Sequence, residues 1–263
     1  MKTYSRALRE SAGWTSLVTA LSRIPIDRAD PASGISIRLP APGEVRVRHL
    51  VHRGAPRPVT KVPSVTLGRI VQCESVLEAD LASILDACPG VAAFAEQAAE
   101  LRYWHDGNVK WHIPDFVVRT GDDVEFVEVK FARDLNREIR NRTQLLQELL
   151  RPYCIKYRLV TQATIRSGCA LANAEMLLMR GRAVPSELWV IQTCDAIRRR
   201  GAIPLSEFSW SVSGSSEAAG IARLIVDGHV HVDMSSQITD STLVYRAEKL
   251  NQENRLWLPA ASK

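Results

Sequence analysis

The chain has 263 residues, of which 46% are apolar and 24% charged, and its formal charge is +5. That length and balance support one large or two modest cores and exclude collagen-like, coiled-coil and disordered chains. No run of about eighteen apolar residues exists and Met1-Lys2-Thr3-Tyr4-Ser5-Arg6 leads into polar sequence, so a soluble, unexported, cytoplasmic protein is expected, with no membrane association.

Residues 1–70 hold twelve Lys and Arg against four Asp and Glu, which leaves the rest of the chain slightly acidic. Through residue 65 the segment is also rich in Pro and Gly, from Pro25 and Pro31 to Pro58 and Pro63, and shows little helical periodicity after its start. It reads as a basic, partly extended N-terminal arm, residues 1–65, in which Val45-Arg46-Val47-Arg48 alternates like a short strand. The five cysteines, Cys73, Cys88, Cys154, Cys169 and Cys194, are odd in number and never in CxxC spacing, which argues against a disulfide framework or a structural zinc site.

From Ser75, the apolar positions Leu77, Leu81, Ile84, Leu85 and Cys88 recur at helical spacing until Pro89-Gly90 stops them. Strands are then expected around Val91–Phe94, Glu100–His105, Val109–His112, Phe116–Arg119 and Val124–Phe131, as a mostly antiparallel meander. Asn136–Leu150 predicts an amphipathic helix with Leu145, Leu146, Leu149 and Leu150 inward, and Tyr157–Thr161 a returning strand. Helix, sheet, helix and strand make an α/β core spanning residues 66–166. Beyond it, helical patterns over Ala170–Arg182, Pro185–Arg200 and Ser216–Asp227 precede short strands at His229–Asp233 and Thr242–Tyr245. Three helices and a hairpin are the order of a winged-helix module, residues 167–247, followed by a polar tail, residues 248–263.

The chemistry concentrates in Ile113-Pro114-Asp115-Phe116 and Glu128-Val129-Lys130. Alternate side chains of a strand share a face, so Val124, Phe126, Glu128 and Lys130 point one way, with Glu128 and Lys130 about 7 Å apart along the backbone. Asp115 opens the preceding strand, and the turn Thr120-Gly121-Asp122-Asp123 folds it back beside Glu128. Two carboxylates and a lysine can hold a hard divalent cation and stabilise charge on a phosphate, or they can form a cross-strand ion pair; the local pattern leaves both open. The apolar neighbours Phe116, Val117, Val118, Phe126, Val127 and Val129 make unpaired carboxylates costly there.

A third acid, Glu78, borders the buried stripe of the helix at Ser75, where Ser75-Val76-Leu77-Glu78 also matches a capping box. Downstream of Lys130, residues 131–166 carry eight Arg and Lys against three acids. Arg133, Arg137 and Arg140 form one basic helical stripe suited to a phosphate backbone, and Gln144 lies further along that helix. Basic segments on both sides of an acidic centre suit a polyanion.

Over Val65–Lys130 these residues resemble the TnsA endonuclease subunit of heteromeric transposases, a member of the PD-(D/E)xK nuclease superfamily. The resemblance runs through Leu67-Gly68-Arg69, Cys73-Glu74-Ser75, Leu77-Glu78-Ala79-Asp80, Phe94-Ala95-Glu96-Gln97, Ile113-Pro114-Asp115-Phe116 and Glu128-Val129-Lys130. It implies a restriction-endonuclease-like core with a winged-helix-like C-terminal domain. Glu78, Asp115 and Glu128 would be acidic ligands of Mg2+, for which Mn2+ would substitute; the Val129 carbonyl would be a further ligand and Lys130 the catalytic lysine. It further implies double-stranded transposon-end DNA as substrate and hydrolysis of its 5′ strand. The partners would be a TnsB-like DDE transposase and a TnsC-like AAA+ ATPase, with nucleoid association during action. A stand-alone restriction or repair nuclease and a non-catalytic DNA-binding scaffold remain open alternatives.

Overall fold

The computed structural model describes residues 6–27, 34–48 and 59–247, with side chains from Gly13 onward. The expected tail, residues 248–263, lies outside them. The described residues form a mixed α/β structure with four sheets, and no helix among them is long and apolar enough to cross a membrane.

Helix α1 (Arg6–Leu21) and strand β1 (Ile35–Arg38) precede a hairpin of β2 (Thr60–Pro63) and β3 (Ile70–Cys73), which leads into helix α2 (Val76–Ala87). The chain then runs through β4 (Ala93–Glu96), β5 (Glu100–His105), β6 (Asn108–His112), β7 (Phe116–Thr120), β8 (Asp123–Lys130), helix α3 (Arg137–Leu150) and β9 (Ile155–Thr161). The central sheet has the order β4-β7-β8-β9, antiparallel except for the parallel β8–β9 pair that α3 connects. The two-residue turn between β7 and β8 is possible because Gly121 adopts φ 61°, which a side chain would penalise.

Three expectations are corrected. The meander is divided: β5 and β6 leave the central sheet, β5 pairing with β1 and β6 with β5 in a second one of order β1-β5-β6. The N-terminal segment is also less of an arm than its composition suggested. Leu17, Leu21, Ile24, Ile35 and Ile37 are buried against Ala95, Val117, Phe126, Leu146 and Tyr157, so α1, β1 and α3 cover one face of the central sheet. Scattered Pro and Gly interrupted the periodicity without removing these apolar anchors. Val45–Arg48 is likewise no strand; its Val47 amide bonds to the Gln97 carbonyl and its arginines reach acids on neighbouring elements.

On the opposite face, Leu77, Leu81, Ile84 and Leu85 of α2 pack on Phe94, Phe116, Val118, Val127 and Val129. Strand β8 therefore serves two cores, Val124 and Phe126 on one side and Val127 and Val129 on the other, as its period of two requires.

After the short helix α4 (Gln162–Ile165), the chain forms α5 (Ala170–Arg180), α6 (Glu187–Arg200), β10 (Ala202–Pro204), α7 (Ser216–Val226), β11 (Val230–His231) and β12 (Leu243–Arg246). Ser186 and Ser215 cap α6 and α7 through their hydroxyl oxygens, and Gly201 ends α6 at φ 80°. The expected hairpin gains a third strand, giving an antiparallel sheet of order β10-β12-β11. Helix α5 packs on both α2 and α7, joining this unit to the central sheet. Helix α7 is buried around most of its circumference, and a Cβ added at Gly220 would come within 2.7 Å of the Trp189 ring.

Candidate active site

The register Phe116↔Val127 places Asp115 and Glu128 at neighbouring positions where β7 begins and β8 nears its end. Asp115 Oδ2 accepts a hydrogen bond of 2.7 Å from the Val129 amide, which pins the carboxylate to the strand bearing the second acid. Lys130 Nζ then lies 2.7 Å from Glu128 Oε1, 3.6 Å from Asp115 Oδ2 and 3.1 Å from the Val129 carbonyl oxygen. Three oxygen atoms thus converge on one cation. These are the oxygens of three of the residues expected as metal ligands, and an ammonium among them shows that the donor set suits positive charge.

Burial raises the Asp115 carboxyl well above the usual range, and the charges of Glu128 and Glu78 raise it further. Glu128 behaves oppositely. Its burial would raise it too, but the hydrogen bond and charge of His112 and the neighbouring Lys130 hold it down at about 2. Burial depresses the Lys130 ammonium, yet Asp115 and Glu128 more than offset this and its pKa is raised. The two carboxyls are therefore pushed in opposite directions, Asp115 upward and Glu128 downward.

Glu78 stands one step aside. Its Oε2 accepts from the Glu74 amide at 2.8 Å, its Oε1 from the Ser75 hydroxyl at 2.8 Å, and its own amide donates to Ser75 Oγ at 3.1 Å. Ser75 caps the helix as the capping box expects, but the Glu78 carboxylate takes the Glu74 amide in place of the Ser75 amide, and it is not drawn in among the three converging oxygens; among the described residues no three His, Cys, Asp or Glu side chains gather tightly enough for a metal ion. It nevertheless lines the same cleft, of about 530 Å³, as Ser75, Val129, Lys130, Arg133 and Ile139. Its carboxyl is raised by burial, and Lys130 is among the charges that act on it.

The expected basic stripe is divided: Arg133 lies in a separate 3-10 turn, Ala132–Asp134, and only Arg137 and Arg140 share α3. Arg133 precedes α3, is exposed at the cleft and lies 5.0 Å over the Phe131 ring. Arg137 and Arg140 are exposed on the first turns of α3, while Gln144 bonds to Glu148 at 3.2 Å on the same helix.

Three site residues were missed by sequence reasoning. Arg142 of α3 donates to Glu128 Oε1 at 3.2 Å, and His112 Nε2 and the Tyr157 hydroxyl lie 2.9 and 3.5 Å from Glu128 Oε2. An N–H at His112 Nε2 would donate to Glu128 Oε2, since a carboxylate only accepts. Alternation along β6 gave no signal for His112: apolar Val109 and Trp111 face solvent, and His112 pairs with the buried Leu101.

No protein-family model and no curated protein matches the chain. Among solved structures, protein VC1899 from Vibrio cholerae is similar at 15% identity over 37% of this chain and 23% of its own length, with a TM-score of 0.24, and carries no argument.

Proposed function

We propose that the chain is a Mg2+-dependent DNA endonuclease of the TnsA type, a PD-(D/E)xK enzyme that hydrolyses the 5′ strand at transposon ends during cut-and-paste transposition. The observation that carries this reading is the convergence of Asp115 Oδ2, Glu128 Oε1 and the Val129 carbonyl on one cation position beside an exposed basic helix. The order of α2, the antiparallel strands β4, β7 and β8, helix α3 and parallel β9 supports a restriction-endonuclease-like core. In it Asp115, Glu128 and the Val129 carbonyl would hold Mg2+, with Glu78 of the same cleft as a further acidic ligand, and the ion would supply a water of lowered pKa and offset phosphate charge. Lys130 would then be released toward the scissile phosphate, and Arg133, Arg137 and Arg140 would position the backbone. The order β10-β12-β11 behind α6 and α7 supports a winged-helix-like unit, and the burial of α7 favours its use on a protein partner, such as a TnsC-like ATPase, over base reading.

The test is 5′-strand nicking of end-bearing DNA in the presence of a TnsB-like transposase and a TnsC-like ATPase. Asp115→Ala is expected to abolish the nick while the circular dichroism spectrum and partner binding persist. Cutting that survives in this variant would defeat the assignment, whereas robust double-strand cleavage by the wild-type protein alone would favour a stand-alone nuclease.

Glu78→Gln separates the cap from the chemistry. Glutamine serves a capping box, so stability is expected to change by less than about 1 kcal/mol. Cleavage is expected to fall by about 100-fold, since an amide is a poorer partner for a hard cation. Unchanged cleavage would restrict Glu78 to its cap.

A further inference from the structure

The two oxygens of Glu128 are held by separate sets of groups. Oε1 faces Lys130 at 2.7 Å and Arg142 at 3.2 Å, while Oε2 faces His112 Nε2 at 2.9 Å and the Tyr157 hydroxyl at 3.5 Å. The carboxylate is only 1% exposed, so water does not compete for either oxygen. The terminal torsion of a glutamate is broad and nearly two-fold, and burial alone does not choose which oxygen points where. A donor fixed against one oxygen does choose.

We infer that His112 is a positioning residue for Glu128: by holding Oε2 from the side, it presents Oε1 to the point where Asp115 Oδ2 and the Val129 carbonyl converge. The inference rests on the nuclease reading of that centre. His112 is suited to the task because its own place is set by packing. It ends β6 opposite Leu101, two positions from the Tyr103↔Lys110 pair, and both Leu101 and Tyr103 are buried in the core over the central sheet. The ring is also 2.9 Å from the Tyr157 hydroxyl, which ties it to β9. Only Ile113 and Pro114 separate it from Asp115, and proline fixes its own φ, so one short segment both delivers the first acid and orients the second. Groups that orient a metal ligand in this way are typically worth about 10- to 100-fold in metal affinity.

A purely structural ion pair would use the same atoms, and the test separates the two roles. Mn2+ binding to the full chain is read by electron paramagnetic resonance for the wild type, His112→Ala, His112→Gln and Tyr157→Phe, alongside the kcat and KM for nicking and thermal melting. His112→Ala is expected to bind Mn2+ about 10- to 100-fold more weakly and to lose kcat with KM for DNA unchanged. His112→Gln, whose amide nitrogen falls near the position of Nε2, is expected to recover metal affinity to within roughly five-fold. Tyr157→Phe loses only the hydroxyl that steadies the ring and is expected to weaken Mn2+ by a few-fold.

Lower melting temperatures with wild-type Mn2+ affinity in the folded variants would overturn the inference. So would equal losses in His112→Gln and His112→Ala. If His112→Ala does not fold, unaltered affinity in both His112→Gln and Tyr157→Phe supports His112 only as a structural group and overturns positioning when Tyr157→Phe also retains full kcat; a graded loss in Tyr157→Phe with rescue in His112→Gln supports it. A wild-type protein that neither binds Mn2+ nor nicks DNA would instead defeat the nuclease reading itself.

Discussion

Replacing Lys130 with methionine is expected to cut 5′-strand nicking by at least about 100-fold, on the scale of losing one preorganised charge-stabilising donor, while divalent-ion binding is retained or tightened. The two effects diverge because of where the ammonium lies. It sits 2.7 Å from Glu128 Oε1 and 3.1 Å from the Val129 carbonyl, with Asp115 Oδ2 at 3.6 Å, so an incoming ion must displace it. Methionine keeps the length and apolar stem of the side chain but brings no charge to the three oxygens. It therefore removes a competitor for the ion and a stabiliser of the phosphate in one step. Calorimetric titration with Mn2+ and nicking at saturating ion would be compared in the two proteins. Markedly weaker Mn2+ binding in Lys130→Met would mean that the lysine supports the ion instead of standing in its place.

The largest expected effect on folding lies outside the cleft, at Glu96. This residue of β4 is 1% exposed and receives Arg46 at 2.6 Å and Arg69 at 2.8 and 2.7 Å through two nitrogens. Glu96→Ala would leave two mostly buried guanidinium groups facing each other without their common anion. Breaking a buried charge cluster by removing one partner costs about 3–5 kcal/mol, and the partial exposure of both arginines places this case near the lower bound. Glu100→Ala offers the contrast, since its pair with Arg38 is partly open to solvent and is expected to cost less than about 1 kcal/mol. Urea unfolding of both variants would check the difference, and equal midpoints would show that the Glu96 cluster contributes no more than a surface pair.

The sequence made the central elements readable where a single physical signal dominated. Ser75 and Pro89 bracket α2, Asn136 caps α3 by accepting from the Ile139 amide, and the alternation of β8 sends Glu128 and Val129 to opposite cores. The acids and lysine were legible for the same reason, as charged residues in strands otherwise too apolar to hold them. What escaped depended on pairing between distant segments. Nothing local shows that β5 pairs with β1 across some sixty residues, and hence nothing local turns His112, on β6 beside β5, toward Glu128. Arg142 lay in a helix whose other arginines point to solvent, and only the packing of α3 against β9 distinguishes it. The N-terminal segment was misread because composition averages over residues, whereas Leu17, Leu21, Ile24, Ile35 and Ile37 act individually as anchors.

The enclosure of α7 has a consequence for how the proposed enzyme finds its substrate. A helix wrapped by α5, the Trp189 ring and its own sheet has only a narrow strip, exposed at Ser216 and half-buried at Ala219 and Arg223, to lay in a major groove. The exposed positive charge beside the cleft, on Arg133, Arg137 and Arg140, reaches phosphates, which every duplex offers alike. On that reading the chain carries scissors without an address: it would hold any DNA loosely, with an affinity that fades steeply as salt rises, and take its destination from the protein that brings it there.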